Sequence, residues 1–218
     1  MKQGVTLIVI AKSPQPGRVK TRLCPPCTPV EAASLAEAAL ADTLDVIAAT
    51  HADRYVIALD GPTGPWLPAA FVVVPQVGVG LAERLANAIL HSEGPVFLVG
   101  MDTPQIDTAL IATALETLMR RDVDAVLGPA LDGGWWGVGL RRPDARAFDG
   151  VTMSSDDTHT QQLAQLTSLG LRTWALRPLR DVDTIRDAFA VADLAPRTRF
   201  ARAVTELEAR LTQRAGRA

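Results

Sequence analysis

The chain is poor in the residues from which metal cages and covalent catalysts are usually built. Among its 218 residues are two cysteines and three histidines. His51, His91 and His159 are scattered. No second CxxC follows Cys24-Pro25-Pro26-Cys27, so no zinc site takes shape. The cysteine pair precedes a helix rather than opening one behind a strand, and reads as a proline-stiffened loop with two free thiols. There is no GxSxG elbow and no plausible Ser/His/Asp or Cys/His set, which excludes nucleophilic catalysis of those kinds. No GxGxxG follows a strand, and Gly17-Arg18-Val19-Lys20-Thr21 lacks the glycine placement of a P-loop. A large charge excess is missing too. A net charge of -2 argues against a general nucleic-acid binder. No apolar run approaches membrane-spanning length. The opening MKQGVTLIVIAK is too short in its apolar part for a signal peptide and has no small-residue cleavage site, so a cytoplasmic protein is expected.

What is present is an ordinary globular composition, 48% hydrophobic and 21% charged. Length and the lack of a clear linker predict one domain over residues 1–218, with 183–218 as C-terminal helices. Strand-like and helix-like segments alternate. Val5 to Ala11 reads as a buried strand, and Thr28-Pro29-Val30-Glu31 as a capping box opening a helix to about Ala49. Strands follow at Tyr55 to Leu59, Phe71 to Val74, and Pro95 to Gly100, the last continuously apolar and therefore central. Helices are predicted over Val79 to His91, Asp107 to Arg121 and Ser154 to Leu169, with Gly170 as a stop. Ala125 to Gly128 and Trp135 to Leu140 are strands around a tight turn, and Leu171 to Leu176 is a last strand. Two helices close the chain, roughly 183–192 and 197–213. The pattern predicts a three-layer α/β/α domain with a mostly parallel sheet. The 135–140 strand is too close to its predecessor for a parallel crossover, so it is antiparallel or an edge element.

Residues 5–22, VTLIVIAKSPQPGRVKTR, are the most informative stretch. The first strand empties into a loop holding Lys12, Arg18, Lys20 and Arg22 around Gly17, which suits phosphate held at the carboxyl end of a sheet. Asp102, in Val99-Gly100-Met101-Asp102-Thr103-Pro104, lies just past the central strand, where a carboxylate suits Mg²⁺. Asp107 is better placed to cap the next helix. Asp181 and Asp183 lie on one side of an extended stretch. One of them is expected to cap the following helix and the other, Asp181, to reach the metal. Asp132-Gly133-Gly134-Trp135-Trp136 allows a tight turn with exposed backbone. Adjacent tryptophans face opposite sides, so one can be core while the other floors a pocket. Asp132 can accept hydrogen bonds from sugar hydroxyls or an amine; a plain hairpin would explain the glycines but not the tryptophans.

As a set, AKSPQPGRVKTRL (11–23), GVGLAERLANA (78–88), VGMDTPQI (99–106), LGPALDGGWWGVGL (127–140) and DVDT (181–184) resemble a family of small bacterial proteins with the glycosyltransferase-A fold. This is DUF2064 with the rSAM-associated transferases, related to phospholactate guanylyltransferase and to molybdenum-cofactor nucleotidyltransferases. The resemblance implies donor binding by Ala11, Lys12, Gly17, Arg18, Lys20, Arg22 and Arg84, with Lys20 and Asp102 catalytic. It implies acceptor contacts from Asp132, Gly133, Gly134, Trp135 and Trp136, and metal ligation by Asp102, Asp181 and Asp183. The chain departs from the family where tyrosines usually stand, at Trp135 and Trp136, and at Met153-Ser154-Ser155 in place of Trp-Ser-Thr. Both changes fall on the acceptor side.

The expected protein is a transferase dependent on Mg²⁺ (or Mn²⁺), taking a nucleotide sugar or nucleoside triphosphate and a small-molecule acceptor, with no nucleic acid and no membrane partner. Family naming favours glycosyl transfer. The four cations of the first loop suit a triphosphate and favour nucleotidyl transfer with release of pyrophosphate. A catalytically silent nucleotide-binding protein is the third reading. The sequence is compatible with a homodimer.

Overall fold

The computed structural model describes residues 4–216; residues 1–3, which open the N-terminal stretch discussed above, and residues 217–218 lie outside the described residues. One seven-stranded sheet organises the chain: β1 (Thr6–Lys12), β2 (Arg54–Asp60), β3 (Val72–Pro75), β4 (Val96–Val99), β5 (Ala125–Pro129), β6 (Trp135–Leu140) and β7 (Thr173–Ala175). Their order is β3-β2-β1-β4-β6-β5-β7. β4 stands fourth of seven, as its unbroken apolar run requires. β1 pairs in parallel with β2 and β4, β2 with β3, and β5 with β7. β6 is antiparallel to both β4 and β5. The expected antiparallel direction is therefore present, but the expected edge position is not. β6 is inserted inside the sheet, because the chain turns back after β5 into the gap beside β4. This places the amino end of β6 beside the carboxyl ends of β1, β4 and β5.

Among the described residues, α1 (Pro29–Ala49), α2 (Leu81–Ile89), α3 (Thr108–Leu118) and α4 (Thr158–Ser168) cover the sheet, and α5 (Ile185–Leu194) and α6 (Arg199–Ala215) pack outside α1. Thr28 and Glu31 form the predicted capping box at the start of α1. One core, with Leu7, Val9, Phe97 and Trp136, lies under α1 and α3; the other, with Ile8, Leu98, Val138 and Phe148, lies under α2 and α4. α1 is apolar on two sides. Leu40 and Leu44 face the sheet, while Leu35 and Ala39 pack on Val191, Phe200 and Val204 of α5 and α6. Two buried acids fasten this outer pair. Asp42 accepts from the Phe200 amide at 2.8 Å, and Glu31 accepts from Arg214 at 2.7 Å. The Arg214 hydrogen bond, opposed by burial, holds the Glu31 carboxyl down at about 2.

Along β5 and β6, Gly128 pairs with Gly137 and Pro129 with Trp135, so Trp136 is the extra residue of a bulge. Trp136 packs into the α1/α3 core, edge-on to Phe97 at 5.9 Å, and Trp135 faces Phe148 on the other side of the sheet. β6 also needs glycine on its inner side. A Cβ at Gly139 would lie 2.6 Å from Val126 Cγ2 and 2.8 Å from Phe97 Cδ2. Gly139→Ala is therefore expected to cost about 1–3 kcal/mol by overpacking. Thermal denaturation should register this as a fall of roughly 2–4 °C per kcal/mol; an unchanged Tm would show that the sheet yields there without strain.

Candidate active site

The loop after β1 does not present its cations uniformly. Lys12 and Arg18 are exposed and make no ion pair among the described residues; Arg18 reaches only Gln15 Oε1, at 3.4 Å. Lys20 adopts a left-handed backbone (φ 49°) and turns inward. Its side chain is 9% exposed, with Nζ 2.6 Å from Asp102 Oδ1 and 3.6 Å from Asp183 Oδ1. It also donates to the Val182 carbonyl. Arg22 pairs with Asp183 Oδ2 at 2.9 Å. Two of the four loop cations thus neutralise carboxylates of the chain itself.

Asp102 follows β4, and Asp107 caps α3 by accepting from the Leu110 amide at 2.7 Å, as expected. The stretch carrying Asp181 and Asp183 is laid across the sheet edge by backbone bonds. Leu131 N donates to Leu179 O at 2.9 Å and Val182 N to Asp102 O at 3.0 Å. Neither aspartate caps α5. Thr184 is its N-cap, in a capping box with Asp187, so both Asp181 and Asp183 remain in the site. The expected division of labour between them is corrected accordingly.

At the turn before β6, Asp132 Oδ1 accepts from Gly134 N at 2.8 Å. Gly133 (φ 92°) sits so close to the chain before α4 that a Cβ would lie 1.8 Å from Asp156 O. Its carbonyl accepts from His159 N at 2.8 Å. The glycines therefore do more than close a hairpin: they dock it. Trp136 is buried and donates Nε1 to Arg177 O at 3.0 Å. Trp135 is half-buried on the opposite face, and its buried Nε1 has no hydrogen-bond partner among the described residues.

Electrostatically the centre is short of positive charge. Asp181 is pushed up to about 7, first by burial and then by Asp132, Asp183 and Asp102. Asp132 and Asp181 have no cation partner among the described residues, and carboxylate oxygens fit Mg²⁺ or Mn²⁺. Yet among the described residues no three His, Cys, Asp or Glu side chains are disposed to hold a metal ion. Lys20 and Arg22 occupy Asp102 and Asp183.

Arg84 stands on the other flank, paired with Asp60 Oδ2 at 3.3 Å and donating to Gly78 O at 3.2 Å. Gln76 donates Nε2 to Ala11 O at 2.8 Å and Ala58 O at 3.1 Å, tying the loop after β3 to the ends of β1 and β2. Sequence reasoning missed Asp60 and Gln76. Asp60 could have been found as an acid ending a strand parallel to β1; Gln76, one polar residue in an apolar run, carried no pattern. Cys27 is buried, which with the neighbouring Cys24 pushes its thiol up to about 11.

The acidic and basic groups thus meet outside the carboxyl ends of a mostly parallel sheet, where open α/β proteins bind ligands. The chain belongs to the bacterial family described as "Uncharacterized protein conserved in bacteria (DUF2064)", whose model matches residues 33–155. That match includes Arg84, Asp102 and the Asp132 turn but not Lys20, Arg22, Asp181 or Asp183. A 2-phospho-L-lactate guanylyltransferase of Haloarcula marismortui is 30% identical over 129 residues, 58% of each chain. The chain thus spans little more than half the length of that curated relative. A structure from Desulfovibrio desulfuricans G20, named provisionally as a nucleotide-diphospho-sugar transferase, superposes with a TM-score of 0.86 at 26% identity, covering 98% of each chain. Rv0371c of Mycobacterium tuberculosis H37Rv, solved in complex with manganese, shares the fold at a TM-score of 0.53 and 20% identity, over 88% of this chain and 98% of that one. The fold is that of nucleotidyl and nucleotide-sugar transferases. No described helix is long and apolar enough to cross a membrane.

Two outcomes are expected. A carboxyl raised from 3.8 to about 7 means the folded state holds a proton that the unfolded state releases, so its contribution is present below pH 4 and lost as pH rises through 7. In metal-free buffer the Tm advantage of Asp181→Asn over wild type should widen between about pH 4 and pH 7; a constant difference would mean that Asp181 is ordinarily solvated. Cys24→Ser/Cys27→Ser should retain turnover within about tenfold, roughly 1.4 kcal/mol. A larger loss in a folded double variant would point to thiol chemistry.

Proposed function

We propose that this chain is a single-domain, cytoplasmic, divalent-metal-dependent transferase that moves a glycosyl group from a nucleotide sugar to a small acceptor. The observation that carries the choice is the division of the first loop. With Lys20 and Arg22 facing Asp102 and Asp183, two cations, Lys12 and Arg18, are left facing solvent. Two unengaged cations suit a diphosphate better than a triphosphate, which weakens the case for nucleotidyl transfer made from the count of four.

In this reading Lys12 and Arg18 meet the donor's diphosphate by charge-assisted hydrogen bonds. Asp102 and Asp181, with Asp183 beside them, would hold Mg²⁺ or Mn²⁺. When bound, the metal supplies positive charge to the leaving diphosphate. Arg84, anchored by Asp60 and the Gly78 carbonyl, and Gln76 fix the wall on the donor side. The Asp132–Gly134 turn and Trp135 shape the acceptor pocket, where the Asp132 carboxylate accepts a hydrogen bond from an acceptor hydroxyl. An acidic acceptor side favours a neutral acceptor over a phosphorylated one. Similarity to the guanylyltransferase supports a second reading, nucleotidyl transfer to a phosphorylated small molecule.

The two are separated by supplying nucleotide sugars and nucleoside triphosphates in turn with Mg²⁺ and analysing products. Nucleoside diphosphate from a nucleotide sugar is expected. Pyrophosphate from a triphosphate, with nucleotide sugars inert, would replace this reading with the second. Asp102→Asn should lower turnover by about a hundredfold or more at near-constant Tm.

A further inference from the structure

We infer that Lys20 and the divalent metal compete for Asp102, so that Lys20 must leave the carboxylate before the metal can join it. The inference rests on the proposed function and adds to it the residue that governs metal entry. Lys20 Nζ is held from three sides: it donates to the Val182 carbonyl and forms ion pairs with Asp102 Oδ1 at 2.6 Å and Asp183 Oδ1 at 3.6 Å. The ammonium stands among the oxygens that would otherwise turn toward a cation, and the left-handed backbone at φ 49° directs it there.

The arrangement differs from a permanent structural ion pair in three ways. The Asp102 and Asp183 side chains are 42% and 36% exposed, so their oxygens open on the site, not only on Lys20. Asp132 and Asp181 have no cation partner among the described residues, so Lys20 and Arg22 leave the acidic group only partly neutralised. And the residue is a lysine, a point charge on a flexible stem, not an arginine whose planar fork would fix the pair. A metal entering while Lys20 stays would face a cation a few ångströms away.

Mn²⁺ alone is the probe, its free concentration read by electron paramagnetic resonance against nucleotide-free protein. Lys20→Met should bind Mn²⁺ about tenfold more tightly than wild type, and Lys20→Arg no more tightly than wild type. Mn²⁺ should also raise the Tm of Lys20→Met more than that of wild type, a readout independent of turnover. Lys20→Ala serves in the same comparison should the methionine variant fail to fold. Equal or weaker binding by a folded neutral variant, with wild type clearly binding, overturns the competition and leaves the transferase reading standing. No Mn²⁺ uptake by wild type, Lys20→Met or Lys20→Ala overturns the metal assignment, and the competition with it.

Discussion

The amide of Val182 donates to the carbonyl of Asp102, and this one backbone bond decides what the site can be. Asp102 lies three residues past the end of the central strand; Asp181 and Asp183 arrive from a segment past the last strand. Without the bond, and its companion from Leu131 to Leu179, three like charges would separate, since nothing in their Coulomb energy holds them together. The backbone forces the approach, burial pushes Asp181 up to about 7, and the cost is relieved in part by Lys20 and Arg22. The acidic centre is thus imposed by chain topology, and its charge deficit is the property that chemistry can use.

The inserted strand β6 is the second constraint. Because it runs antiparallel between β4 and β5, its first residues lie at the carboxyl edge, beside Gly100, whose amide donates to Trp136 O at 3.2 Å. Trp135 and Trp136, at the bulge, lie on the two faces of the sheet. The basic loop from β1 and the docked Asp132 turn therefore meet on one edge of the sheet.

Much of this was legible in the residues. The capping box at Thr28, the unbroken apolar run of β4 and the cap at Asp107 are local signals, and each appears where it was read. The position of β6 was not legible. Antiparallel direction follows from a short turn, but the choice between an edge and a gap in the sheet depends on partners distant in sequence. The cap of α5 fell to Thr184 rather than an aspartate because backbone bonds had already fixed the preceding residues. Lys20 is the most instructive case. Its charge suggested phosphate, and only the left-handed turn at that residue reveals that it faces inward to carboxylates.

The central claim is that the carboxylates gathered at the end of β4 hold a divalent metal for a nucleotide-activated donor. Anomalous scattering from crystals grown with Mn²⁺ and a nucleoside diphosphate tests it most directly. The account predicts a peak within about 2.0–2.6 Å of carboxylate oxygens of Asp102 and Asp181, with Lys20 Nζ withdrawn from Asp102. A peak elsewhere, or none at saturating Mn²⁺ with the nucleotide bound, would contradict it.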